Sequence, residues 1–189
     1  MKKDIILSGV GGQGILSIAT VIGKAALKEG LYMKQAEVHG MSQRGGSVVT
    51  YVKYGSEVCS PVVEKGEADI IISFEQLEAA RYVSYLKKGG HIITSTQQID
   101  PMPVITGAAQ YPANIVDTLK SLGEDVIAVD ALSLAEQAGT SRAVNVVLMG
   151  VISHILDFGD KVWNDALEQC VPAKVLEVNK KAFGLGRNA

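Results

Sequence analysis

The triplet Ile5-Ile6-Leu7 is a short apolar run that stops at Ser8-Gly9, and apolar residues then recur at helical spacing through Ile15, Ile18, Ala19, Ile22, Ala26 and Leu27. This pattern predicts a strand, a glycine turn and a helix over residues 13–29. Gly30 is the expected end of that helix, because glycine enters the left-handed region without a Cβ penalty. Residues 31–38 resume an extended pattern and complete a predicted β-α-β unit with parallel strands. After a polar, glycine-bearing loop over residues 39–46, residues 47–54 and 57–63 form two β-rich runs. They are separated by Gly55-Ser56 and read as a hairpin.

Farther on, residues 68–74 are a continuous apolar strand, 75–86 a helix, Lys88-Gly89-Gly90 a turn and 91–94 another strand. Residues 100–103 are a proline-bearing connection and 112–122 a helix with proline in its first turn. A strand over 126–129 and a short helix over 131–138 follow. From Ser141 onward the pattern is helical, with Pro172 opening the last segment. The expected fold is α/β: a Rossmann-like, doubly wound, mostly parallel sheet with an added antiparallel hairpin, in a single domain over residues 1–189.

Composition narrows the function. The 189 residues are 47% apolar, enough for a sizeable core in one domain. Twenty acidic residues against eighteen basic ones leave a net charge of −2, with no long run of either sign to suggest nucleic acid or a membrane surface. The apolar stretch over residues 143–158 is interrupted by polar residues and shorter than the roughly 20 residues of a membrane span, so it reads as a core helix. Met1-Lys2-Lys3-Asp4 runs into the first strand without the features of a signal peptide, and the expected location is the cytoplasm. Cys59 and Cys170 have no second cysteine nearby for a metal or redox pair, so both read as mostly buried, inert residues.

Gly9-Val10-Gly11-Gly12-Gln13-Gly14 matches G-x-G-x-x-G through Gly9, Gly11 and Gly14, between a strand and a helix. Such glycines bring backbone N–H groups and the positive end of the helix dipole close to a phosphate. Three readings stay open: a dinucleotide site with Glu37 on the ribose, a site for some other phosphate or pyrophosphate, and a purely structural tight turn. A second loop carries His39, Ser42, Gln43 and Arg44 and ends in Gly45-Gly46. If it leaves the carboxyl end of a neighbouring strand, it faces the same crevice. Arg44 is then a candidate bidentate ligand for phosphate or carboxylate, or the partner of an acidic group such as Glu37. No hydrolase elbow, Walker loop or H-E-x-x-H pair is present, and His91 and His154 read as structural.

The segment Gly9 to Ile15, the segment Glu37 to Ser47 and the β-rich stretch beyond them resemble the γ-type domain of 2-oxoacid:ferredoxin oxidoreductases, nearest to the separate small subunit of the indolepyruvate type. The resemblance covers essentially the whole chain. It implies an oxidoreductase subunit that is inactive alone and supports coenzyme A-dependent oxidative decarboxylation of a 2-oxoacid with electron transfer to ferredoxin. No cofactor is expected on this chain by itself. Thiamine diphosphate and iron–sulfur clusters are expected on a large subunit in a hetero-oligomer, with coenzyme A as co-substrate and ferredoxin as acceptor. Carried over, the resemblance places Gly9, Gly11, Gly12, Gln13, Gly14, Ser42, Gln43, Arg44, Gly45 and Gly46 at a binding or interface crevice, and names no catalytic or metal residue. The competing readings are a related pyruvate or 2-oxoisovalerate enzyme, an independent NAD(P)-dependent dehydrogenase and a non-catalytic assembly scaffold.

Overall fold

The computed structural model of the chain describes residues 2–41, 45–123 and 125–189. In chain order it runs β1 (Lys3–Val10), α1 (Ile15–Lys28), β2 (Tyr32–His39), β3 (Ser47–Gly55), β4 (Ala68–Ser73), α2 (Gln76–Tyr82) and β5 (Leu86–Ser95). There follow α3 (Met102–Ile105), α4 (Ile115–Ser121), β6 (Asp125–Val129), α5 (Ala131–Ala138), α6 (Val144–Ile152), α7 (Asp160–Cys170) and α8 (Leu176–Arg187). The six strands form one sheet in the order β2-β3-β1-β4-β5-β6. Strands β1, β4, β5 and β6 pair in parallel, β3 runs antiparallel to β1, and β2 runs antiparallel to β3.

Alternation along the central strands divides the core. Ile5, Leu7, Ile70, Ile72 and Ile93 join one cluster with α1 and the α5–α8 helices, while Ile6, Ile71 and Ile92 join the other with α2 and α4. Because side chains on successive residues point to opposite faces, a strand buried on both sides must be apolar throughout, as Ile5-Ile6-Leu7 and Ile70-Ile71-Ile72 are. Each such side chain contributes about 1.5–3 kcal/mol of transfer free energy when fully buried. The expected doubly wound architecture is therefore present. Among the described residues no helix is long and apolar enough to cross a membrane, and the predicted core helix is α6, buried over nearly its whole length.

Several local readings require correction. The sheet carries an antiparallel hairpin, but it is β2–β3, joined across the 39–46 loop, and residues 57–63 form no strand. Pro61 in that segment has no N–H to donate, and two of its carbonyls, Cys59 O and Val62 O, accept from Lys34 Nζ (2.8 Å) and Lys53 Nζ (3.2 Å). The predicted β-α-β unit is also modified, since β3 inserts between β1 and β2. Composition explains the order: β2 carries Lys34, Gln35, Glu37 and His39, which suit an edge, whereas Val48, Val49, Val52 and Tyr54 of β3 are buried. The 75–86 helix ends at Tyr82 in a single 3₁₀ turn, and β5 absorbs the predicted Lys88-Gly89-Gly90 turn. Gly89 lies at φ 76°, beside a register shift against β4. The 112–122 helix begins only at Ile115, after Asn114 at φ 55°. Cys59 is exposed and Cys170 half-buried; both are free thiols, against the buried reading.

Candidate functional site

The carboxyl ends of the parallel strands gather three loops around the amino end of α1. Gly14 caps the helix at φ 79° with no side-chain acceptor, and Gly12 lies at φ 104°, so the turn depends on residues free of Cβ strain. A Cβ on Gly9 would lie 2.7 Å from Gln13 Oε1 and 2.9 Å from Phe74 Cβ, and one on Gly14 would lie 2.5 Å from Asn145 Nδ2. The turn is thus pressed between β4 and α6. Among the described residues the amides of Gly12, Gly14, Ile15 and Leu16 donate to no protein acceptor, leaving an N–H array at the positive end of a 14-residue helix.

Gln13 sits in the turn with its side-chain amide already engaged. Its Oε1 accepts from the Val10 amide at 2.7 Å, and its Nε2 donates to Phe74 O at 3.0 Å and to Gln97 Oε1 at 3.4 Å. The amide therefore ties the ends of β1, β4 and β5 together and has little hydrogen-bonding capacity left for a ligand.

The two loops singled out by the sequence meet directly. Gly11 N donates to Gly46 O at 2.8 Å, and Gly45 N reaches Gly11 O at 3.4 Å, with Gly45 at φ 75°. Ser42, Gln43 and Arg44 lie outside the described residues. Between the turn and the β2–β3 hairpin is a cleft of about 420 Å³ lined by Gly11, Gly12, Gly14, Leu16, Glu37 and His39, among others. Glu37 accepts from Thr50 Oγ1 at 3.5 Å. On the other side of the turn a second cleft of about 500 Å³ is bordered by Gln97, Ser141, Arg142 and Asn145. Ile15, exposed Leu16 and Val48 give the first cleft an apolar side.

Glu37 does line the cleft, but its setting departs from the dinucleotide fingerprint. That fingerprint places the ribose-binding acid on the strand next to β1. Here β3 intervenes, which puts β2 about 10 Å from β1 at the ordinary strand spacing.

Sequence reading missed the polar groups on the opposite face at this same end: Glu75, Glu78, Tyr111 and Ser47. Glu75 accepts from the Glu78 and Ile99 amides and the Tyr111 hydroxyl, and Glu78 accepts from Ser47 Oγ and Arg81 Nε. Burial and the adjacent Glu75 carboxylate push the Tyr111 phenol above its ordinary range. The available signal was a pair of glutamates three apart directly after a buried strand. The remaining histidines make structural contacts: His91 Nδ1, midway along β5, meets Asp125 Oδ2 at the start of β6 at 2.7 Å, and His154 Nε2 meets Arg187 O at 2.7 Å. No group of three or more potential metal ligands occurs among the described residues. The arrangement is built to hold an anion and to pack loops.

Residues 4–189 match the family model described as pyruvate ferredoxin/flavodoxin oxidoreductase. The chain belongs to this family. Its members supply the small subunit of 2-oxoacid:ferredoxin oxidoreductases, multi-subunit enzymes that use thiamine diphosphate, iron–sulfur clusters and coenzyme A. The chain is 43% identical to indolepyruvate oxidoreductase subunit IorB of Thermococcus kodakarensis, over 100% of this chain and 96% of that protein. Among solved structures, the keto/oxoacid ferredoxin oxidoreductase gamma subunit of Geobacter sulfurreducens superimposes with a TM-score of 0.73 at 22% identity, covering 98% of this chain and 96% of that one. The 2-oxoglutarate:ferredoxin oxidoreductase of Magnetococcus marinus, solved with 2-oxoglutarate, coenzyme A and succinyl-CoA, gives 0.74 at 20% identity over 99% of this chain but 30% of that chain. At these identities the two structures establish the fold alone, which makes up nearly all of one chain and about a third of the other.

Proposed function

We propose that this chain, over residues 1–189, is the small subunit of an indolepyruvate (arylpyruvate):ferredoxin oxidoreductase. The observation that carries this reading is full-length similarity, at 43% identity, to indolepyruvate oxidoreductase subunits of nearly the same length. The reaction joins the acyl group of the 2-oxoacid to coenzyme A, releases carbon dioxide and a proton, and passes two electrons to ferredoxin. Thiamine diphosphate and the clusters reside on the larger partner in this reading, in the cytoplasm. That division agrees with two isolated, free cysteines, too few for the four thiolates of an ordinary cluster.

The chain's own contribution is binding and orientation. The amides of Gly12, Gly14, Ile15 and Leu16, unpaired among the described residues and with no Cβ at Gly12 or Gly14 to block approach, suit the phosphates of coenzyme A, which when bound supplies the thiol that accepts the acyl group. Arg44, next to Gly45 in the sequence, is the residue proposed to add a positive charge for the same anion, with Ser42 and Gln43 as further donors. Gln13 holds the turn in shape and does not contact the ligand. Gly9 admits the tight packing beneath it.

The test is co-expression with the candidate large subunit and an assay of coenzyme A-dependent dye reduction. Indolepyruvate or phenylpyruvate is expected to be turned over in preference to pyruvate and 2-oxoisovalerate; a preference for either of the latter moves the chain to the corresponding branch. The chain purified alone is expected to be colourless at about 400 nm and inactive. Tight NAD(P)H binding by the chain alone would instead favour a dehydrogenase, and loop variants that block assembly without changing ligand affinity would favour a scaffold.

A further inference from the structure

On the sheet face opposite α1, the carboxyl ends of β1 and β4 and the amino end of β3 enclose two carboxylates that the anion-binding turn does not use. Glu75 and Glu78 are only 1% and 4% exposed. Glu75 caps α2 by accepting from the Glu78 amide at 3.0 Å, and its other oxygen accepts from the Ile99 amide at 3.3 Å and from the Tyr111 hydroxyl. Glu78 accepts from Ser47 Oγ at 2.5 Å and from Arg81 Nε at 2.9 Å. Beneath them Ser8 Oγ donates to Ser73 Oγ at 3.1 Å, and Ser73 Oγ donates to the Glu75 carbonyl at 2.6 Å.

Placing two carboxylates side by side in a protein interior opposes folding, and apolar side chains of similar volume at such sites are often neutral or stabilising. Burial pushes the Glu78 carboxyl up, Ser47 and Arg81 pull it down, and Glu75 adds to the rise. A fully hydrogen-bonded network with that cost points to a geometric role. The network ends on Ser47, the first residue of β3. Immediately before it, Gly45 and Gly46 make the backbone bonds to Gly11. Within three residues the chain is held twice, by its backbone to the glycine turn and by a side chain to Glu78.

We propose that Glu78 is a positioning residue of the crevice: by holding Ser47 it fixes the Gly45-Gly46 backbone against Gly11, and so keeps the glycine turn in its ligand-binding shape without itself touching ligand. This rests on the reading that the crevice holds the phosphates of coenzyme A.

The test uses the complex co-expressed with the large subunit. Glu78→Leu removes the acceptor and replaces a buried charge by an apolar side chain. Its expected result is a roughly tenfold rise in KM for coenzyme A, the loss of about one hydrogen bond to a charged group, with kcat within about twofold. The melting temperature of the purified chain should change little, because the partners left behind, Arg81 and Ser47, are exposed enough to be hydrated. Glu78→Gln keeps an acceptor for Ser47 and is expected to restore the KM. Ser47→Ala should reproduce the rise, and the Glu78→Leu, Ser47→Ala double variant should add nothing to it.

A wild-type KM in the assembled Glu78→Leu complex overturns the proposal, as does an equal rise in Glu78→Gln, which would make the charge rather than the Ser47 contact responsible. Should Glu78→Leu fail to fold, Ser47→Ala decides alone. Arg44→Ala in the same assay separates this inference from its premise. If Arg44→Ala raises KM while the Glu78 and Ser47 variants do not, the positioning role falls; if none of the three raises it, the coenzyme A reading falls as well.

Discussion

Gly186→Ala is expected to lower the melting temperature of the purified chain by about 6–12 °C. Helices α6 and α8 cross with almost no side chain between them. A Cβ on Gly186 would lie 2.0 Å from Val147 O, and one on Gly150 would lie 2.2 Å from Phe183 O and 2.9 Å from Arg187 N. These obstacles are backbone atoms, which cannot rotate away as a flexible side chain would, so the helices must separate. Overpacking of this kind costs about 3 kcal/mol or more at the severe end, and each kcal/mol moves the midpoint of a domain this size by roughly 2–4 °C. Gly184 lies on α8 with nothing within 4 Å of an added Cβ, and Gly184→Ala should be neutral or slightly stabilising. Equal melting temperatures for the two variants, read by calorimetry, would show that the helix crossing is not this close.

Arg44→Ala is expected to raise the coenzyme A requirement of the reconstituted complex by roughly tenfold to a hundredfold while leaving assembly intact. Arg44 is the only lysine or arginine between Lys34 and Lys53, so its loss removes the fixed positive charge of the loop. One desolvated charge-assisted contact is worth about 1.5–3 kcal/mol, which is the stated range. The backbone bonds from Gly45 and Gly46 to Gly11 do not depend on that side chain, and the crevice should keep its shape. Weakened assembly with an unchanged coenzyme A dependence would assign Arg44 to the subunit interface instead. Wild-type behaviour in both respects would make it a solvated loop residue.

The first strand, turn and helix were legible because their signals are local: a short apolar run, glycines at turn spacing and a 3.6-residue period. Helix α5 was read to its ends for the same reason, with Asp130 accepting from the Ser133 amide at its start and Gly139 at φ 126° after its end. The hairpin was misplaced because Gly55-Ser56 is a local turn signal, while the pairing of β3 is decided by partners remote in sequence. Val52 is matched to both Ile5 and Gln35, which neither neighbouring turn announces. The same limit applies at the site. The glycine turn and the 39–46 loop stand out as motifs, and the structure brings Gly11 against Gly45 and Gly46. Gln13 was placed at the crevice by the family resemblance, as a binding or interface residue; the partners of its side-chain amide, Phe74 and Gln97, lie 61 and 84 residues away, which no local motif announces. Glu75 and Glu78 resemble ordinary exposed residues of a helix start until Tyr111 and Ser47, from distant segments, close over them.

In the proposed reading this chain is an indispensable subunit with no catalytic machinery of its own. Titrating a fixed amount of purified large subunit with the chain, while following coenzyme A-dependent reduction of a ferredoxin-type acceptor by indolepyruvate, tests it most directly. The rate should be negligible with either component alone, rise with added chain and level off at a fixed ratio of the two. Turnover by the chain alone, or a full rate from the large subunit without it, would contradict the account.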